Sequence, residues 1–222
     1  MKTISDYQAL VRVAGNGAVE GNEYCTSVLI ALTDHCALLI EALNELLARA
    51  GTLTEMALRL SHTLQSGQKI LLAGNGGSAA QAQHFAAELV GRFKRERTPY
   101  PVMALTTDTA ILTAIANDYG YEDIFARQVR AFGRPDDLLI VFSTSGESEN
   151  LVRAVQAGRE LGMSTTAIIS QRRCRLEDMV DLALQVPATD TATIQELHMV
   201  AIHLLCDIVE GHLHEAERQR CL

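Results

Sequence analysis

The chain has 222 residues, 48% of them hydrophobic and 21% charged, with a formal net charge of −8. That length holds one sizeable α/β domain with a real core and an appended helical segment. The acidic balance disfavours non-specific binding to DNA or an anionic membrane, and 5% aromatic residues without a Trp leave no stacking surface for bases.

A small anionic substrate stays open, because a local nest of backbone N–H groups does not register in net charge. Cys25, Cys36, Cys174, Cys206 and Cys221 form an odd set without a CxxC pair, which signals neither a disulfide framework nor a thiolate zinc site. Residues Met1 to Asp6 are polar, and no uninterrupted apolar run approaches the ~18 residues of a membrane span. These features lead us to expect a soluble, cytoplasmic protein.

Residues 1–22 contain Gly15, Gly17 and Gly21 and are left unassigned. From about Glu23 to Ala50, Leu29, Leu32, Cys36, Leu39, Leu43 and Leu46 recur at three- and four-residue steps, which predicts a long amphipathic helix. After a break at Gly51, Thr52 or Thr54 can cap a second helix reaching Leu64. This front end reads as a packing or oligomerisation element.

Beyond it, apolar runs at 69–73, 101–105, 138–142, 165–169 and 182–186 alternate with helical patterns at 78–93, 109–117, 122–132, 148–161 and 175–179, and a last helix spans 191–213. Short apolar strands separated by helices predict a three-layer α/β sandwich around a five-stranded parallel sheet, flavodoxin-like, with N-terminal helices. The expected divisions are 1–52 (helical segment), 53–213 (the α/β domain) and 214–222 (tail).

Ligands in such sheets bind beyond the carboxyl ends of the strands. Three turns there are informative, of which one, Thr106 to Thr109, follows the second strand. Gly74 to Ser78 (GNGGS) opens a helix carrying His84 and Glu88, whose four-residue spacing puts them on one face. Ser143 to Ser148 (STSGES) gathers Ser143, Thr144, Ser145 and Ser148 before another helix, a setting that suits a phosphate monoester. Neither of these last two turns matches a nucleotide-binding fingerprint. His84, Glu88 and His203 of the last helix are the acid/base candidates; His35, His62, His198, His212 and His214 are set aside as structural or solvated.

The stretches GNGGSAAQAQHFAAELVGRF (74–93), IANDYGYEDIF (115–125), FSTSGESEN (142–150) and IQELHMVAIHLLCDIVE (194–210) together resemble the sugar isomerase (SIS) domain family, and within it the phosphoheptose isomerases. The resemblance implies conversion of sedoheptulose 7-phosphate to D-glycero-D-manno-heptose 7-phosphate, towards lipopolysaccharide heptose, by a homotetramer with active sites at subunit interfaces. Carried over by position, Ser143, Thr144, Ser145 and Ser148 hold the phosphate, and Asn75, Gly76, Ser78, Asp118 and Gln195 contact the substrate. Glu88 and His203 transfer protons, and His84, Glu88, Gln195 and His203 match ligands of one Zn²⁺ per site.

Gln195 and His203 lie eight residues apart, a rise of roughly 12 Å at ~1.5 Å per residue, so we expect a neighbouring subunit to supply at least one of them. Two positions depart from the family pattern. Glu147 stands where Asn is usual, and is expected to point away from a phosphate or towards a sugar hydroxyl; Ala192 stands where the isomerases tend to have Asp. The competing reading is a non-enzymatic SIS relative that binds the chromosomal replication initiator. Glu88 and His203, which that relative typically lacks, favour the enzyme. No DNA-binding module is visible for a sugar-phosphate-sensing regulator.

Overall fold

The structure, a computed structural model, describes residues 19–220; the unassigned start of the chain lies almost wholly outside the described residues. Two compact units are distinguished, the first ending at Asn44 and the second running from Glu45. The division therefore falls eight residues before the expected one at 52/53, inside the first long helix. In the first unit, helix α1 (Val19–Leu47) begins; it presents Tyr24, Val28, Ile30, Leu32, Leu38, Ile40 and Leu43 to solvent.

The second unit opens with α2 (Ala50–Gln65). Gly51 does not break the chain, as the sequence suggested, but lies in the first turn of this helix. The change of direction comes just before it, at Ala48 and Arg49, whose N–H groups bond back to Glu45 and Leu46 carbonyls. Thr54 is no cap either: its hydroxyl donates to the Ala50 carbonyl one turn back, at 2.9 Å.

Five strands follow, β1 (Ile70–Gly74), β2 (Val102–Ala104), β3 (Leu138–Ser143), β4 (Ser164–Ser170) and β5 (Leu182–Val186), in the spatial order β2-β1-β3-β4-β5 and all parallel. This is the flavodoxin-like order expected from the alternation of apolar runs and helices. Every residue of β1 and β3 is buried, because helices cover both faces and leave no polar side to the strands. Leu71, Ala73, Leu139 and Val141 point to one face, where α5 (Ala126–Phe132) and α6 (Glu149–Glu160) add Val129, Leu151 and Val155. The residues between them point to the other, where α3 (Gly77–Val90) sets Phe85 edge-on to Phe142, ring centres 6.3 Å apart.

Between β2 and α5 lie α4 (Thr109–Tyr119) and a single 3₁₀ turn (Tyr121–Asp123), and a short α7 (Arg175–Met179) precedes β5. The predicted helix at 122–132 is thus two elements. The last helix, α8 (Thr191–Arg220), continues seven residues past the expected end at 213 and takes in most of the supposed tail. By length and composition alone, Glu23–Leu47 and Thr191–Ala216 are long and apolar enough to span a bilayer. The second is a core helix, with Leu197, Ala201, Ile202, Leu205 and Val209 buried.

Candidate active site

The order of the strands reverses direction between β1 and β3, and there the two motif turns meet. Asn75, just after β1, and Asn150, in the first turn of α6, exchange amide hydrogen bonds in both directions, each 2.9 Å. The Tyr121 hydroxyl donates to the same Asn75 oxygen at 3.0 Å. Asn150 and Tyr121 were not singled out from the sequence, since a partnership across 75 positions leaves no local pattern. Asp118, exposed near the end of α4, accepts from Asn117 at 2.8 Å.

On the GNGGS turn, Gly76 takes the left-handed conformation (φ +56°) that starts α3 at Gly77. A side chain at Gly77 would collide with the Gln195 amide, since its Cβ would stand 2.6 Å from Oε1. The closeness of glycine and amide brings Gln195 to the open end of this turn. Ser78 is buried in the first turn of the helix.

In the STSGES turn the Ser143 oxygen accepts from the Gly146 N–H at 2.9 Å, and that of Ser145 accepts from Glu147 at 3.3 Å. Ser148 occupies the N-cap of α6 without spending its hydroxyl on the cap. Thr144 is half-buried on the same turn. Glu147 points away from the hydroxyls, its Oε1 accepting from the Arg175 N–H at 2.9 Å. Glu149 is likewise drawn off by Arg175 and Arg153, which hold its carboxyl below the usual carboxylate range. The cradle therefore keeps its hydroxyls and helix N-terminus while both neighbouring carboxylates are tied down elsewhere.

Helices α3 and α8 run side by side in the same direction, as ascending partners show: Gly77 with Gln195, Gln81 with Gln195 and His198, His84 with His203. His84 Nε2 lies 2.9 Å from His203 Nε2 and 3.4 Å from Glu88 Oε1. The ligand atoms of all three residues fall within 4.8 Å of one another. Donor atoms around a tetrahedral zinc at ~2.0–2.1 Å stand roughly 3.3 Å apart, so this triangle is of the right size and donor chemistry for Zn²⁺.

Gln195 is not part of the triangle. Its amide lies at the first residue of α3, seven residues before His84, a rise of ~10 Å. Arg92, one turn after Glu88, pairs with Glu96 at 3.7 Å and leaves Glu88 to His84.

His198 was set aside as structural, and it is fully buried, with Nδ1 3.3 Å from Gln81 Oε1. Gln81 in turn donates to the Gln195 carbonyl at 2.6 Å. Burial pushes the His198 pKa down to about 4, against a smaller upward pull from the Ile169 backbone. The unfolded chain binds this proton near 6.5, so the stability contributed by neutral His198 is complete above pH ~6.5 and is lost as pH falls towards 4. At about 1.4 kcal/mol per pH unit this amounts to roughly 3 kcal/mol. A series of thermal melts should show Tm falling between pH 6.5 and 4 in the wild type and a flatter profile in His198→Gln. Equal slopes would exclude His198 as the cause.

Residues 34–170 match the SIS domain family. The chain is 53% identical to a phosphoheptose isomerase of Roseiflexus over 167 residues, covering 75% of this chain and 85% of the relative. It is 49% identical to that of Helicobacter pylori over 173 residues, 78% and 87% respectively. The solved phosphoheptose isomerase of Francisella tularensis superposes with a TM-score of 0.79 at 39% identity, over 83% of this chain and 98% of that one. That of Neisseria gonorrhoeae gives 0.78 at 40% identity, over 83% and 99%. The chain belongs to the SIS domain family and, within it, to the phosphoheptose isomerases.

Proposed function

We infer that this protein is a phosphoheptose isomerase that converts sedoheptulose 7-phosphate to D-glycero-D-manno-heptose 7-phosphate, feeding the synthesis of nucleotide-activated heptose for lipopolysaccharide. The observation that carries this reading is the triangle of His84, Glu88 and His203, in a chain of this family that also bears two anion-suited turns. The phosphate is received by Ser143, Thr144, Ser145 and Ser148 at the α6 N-terminus. The sugar contacts Asn75, Gly76, Ser78, Asp118 and Gln195.

Isomerisation moves one proton from C1 to C2 and one between the two oxygens, through an enediol, with no net oxidation. Glu88 is the base that takes and returns the carbon-bound proton. His203 serves the oxygens, giving a proton to one as it takes one from the other. In the short His84–His203 contact one imidazole donates and the other accepts. His84, Glu88 and His203 would hold Zn²⁺, with Gln195 of a neighbouring subunit as a further ligand. When bound, the ion polarises the carbonyl oxygen.

Several features support a homotetramer with interface sites. The large apolar residues that α1 exposes suit burial against another chain, and Gln195 lies apart from the triangle of its own chain. Burial of α1 in such an assembly also removes the reason to place it in a membrane, and we assign the enzyme to the cytoplasm.

The test is conversion of sedoheptulose 7-phosphate by the purified protein with added Zn²⁺ and again after chelator. Activity is expected with the metal, falling at least tenfold on chelation and returning with Zn²⁺. No turnover of any ketose phosphate, together with binding to a replication initiator, would overturn the reading in favour of the non-enzymatic one.

A further inference from the structure

Between α3 and β2 the chain runs from Gly91 to Pro101 without regular secondary structure, yet it is tied along its length to one face of α8. Glu210 is the main tie. Its fully buried carboxylate accepts from three successive backbone N–H groups, Phe93 at 2.9 Å, Lys94 at 2.7 Å and Arg95 at 2.9 Å. Burial works to raise its pKa, but these donors and Arg97 outweigh it and hold the carboxyl below the usual range. Arg97, also fully buried, places Nε 3.2 Å from Glu210, donates to the Glu88 carbonyl at 3.0 Å and covers the Tyr100 ring at 3.9 Å.

One turn before Glu210, Asp207 takes Lys94 Nζ at 2.7 Å and Arg95 Nη1 at 2.9 Å. His203, Asp207 and Glu210 thus form a row on one helix face, spaced by four and three residues.

What this row secures is Phe93. Its ring stacks on the His203 imidazole, centres 5.6 Å apart and planes 24° from parallel. The opposite contact of that imidazole is the edge of His84, with centres 5.1 Å apart at 65°. His203 is an exposed side chain on a helix surface, free to swing about two torsions unless something fixes its plane. A stacked ring covers the face of an imidazole and leaves both nitrogens at its edge uncovered. It therefore orients the ring without consuming a donor or acceptor.

We propose that Phe93 and Glu210 are positioning residues of the proton-transfer site: Glu210 pins the 93–95 backbone to α8 so that the Phe93 ring sets the plane of His203. The two act through His203, so the catalytic part of the claim rests on the isomerase reading; the geometric part does not. Loss of an orienting partner around such a ligand or acid/base group typically costs 10- to 100-fold.

The experiment compares wild type, Phe93→Leu, Phe93→Tyr and Glu210→Gln in two measurements, kcat and KM for sedoheptulose 7-phosphate and the imidazole proton resonances of His203 in chelator-treated protein. Phe93→Leu is expected to lower kcat about tenfold with KM within about twofold, and Phe93→Tyr to restore it. The His203 resonances, shifted upfield by the stacked ring, should move downfield in Phe93→Leu and in Glu210→Gln and stay in place in Phe93→Tyr. Unchanged kcat in Phe93→Leu, or a His203 signal that ignores Glu210→Gln, overturns the proposal. Should Glu210→Gln not fold, Phe93→Leu decides alone. Should the wild type turn over no ketose phosphate, the isomerase reading fails, and the resonances still uphold or overturn the orienting role.

Discussion

Glu88→Gln is expected to lower kcat for sedoheptulose 7-phosphate by about 10³-fold at saturating Zn²⁺, with KM changed only a few-fold. The amide keeps the shape of the carboxylate and a carbonyl oxygen near His84, now 3.4 Å from the carboxylate, but it cannot take a proton from carbon. General acid–base catalysis contributes ~10²–10⁴, which sets the size of the loss. His203→Ala should fall in the same range. Because the two residues serve one proton inventory, the double variant should be far less impaired than the product of the single losses. Steady-state kinetics with a calorimetric measure of zinc binding separate lost chemistry from lost metal. Full activity in Glu88→Gln with metal bound would remove the carboxylate from the reaction.

The second large effect is expected at the phosphate turn. Gly146 has φ +69°, and a Cβ there would run into the Cys174 side chain, which is itself buried. Gly146→Ala should therefore cost ~1–2 kcal/mol for the left-handed backbone and a further amount for the collision, lowering Tm by about 5 °C. It should also raise KM about tenfold, because the same N–H that Ser143 receives at 2.9 Å belongs to Gly146. Adding Cys174→Gly, which removes both the Sγ and the Cβ that the new methyl would meet, should return part of the stability and little of the KM, since it relieves the collision but leaves the dihedral strain in the turn. A calorimetric melt and a KM for each single and double variant would check this. Equal recovery of both quantities would show that the collision, not the turn's conformation, governs binding.

Much of the architecture was readable in the sequence because parallel strands buried on both faces are short apolar runs and their crossovers are amphipathic. The runs at 69–73, 138–142 and 182–186 lie within a residue of β1, β3 and β5. What misled was local chemistry that tertiary context overrules. Gly51 and Thr54 look like a break and a cap, yet α2 runs through both because Met56, Ala57 and Leu60 on its inner face are buried.

The site divides in the same way. His84 and Glu88 are neighbours on one helix by spacing alone, whereas His203 comes to them across 119 positions, and only the parallel packing of α3 and α8 makes it so. For Phe93 and Glu210, 117 positions apart, no spacing could have announced a partnership, since a buried glutamate bound to backbone N–H groups leaves no mark on its partners' identities.

The amide pair of Asn75 and Asn150 joins the GNGGS turn to the STSGES turn. Two side-chain amides bound head to tail carry no net charge and no titratable proton. The gap between the two turns is therefore held by a rivet indifferent to pH and to salt. A charged rivet in that place would have entered into every binding event, either repelling the phosphate or competing for it. With a neutral one, the join between the turns adds no ionisation of its own to whatever they bind. The spacing of the two turns stays constant while the pH around them changes.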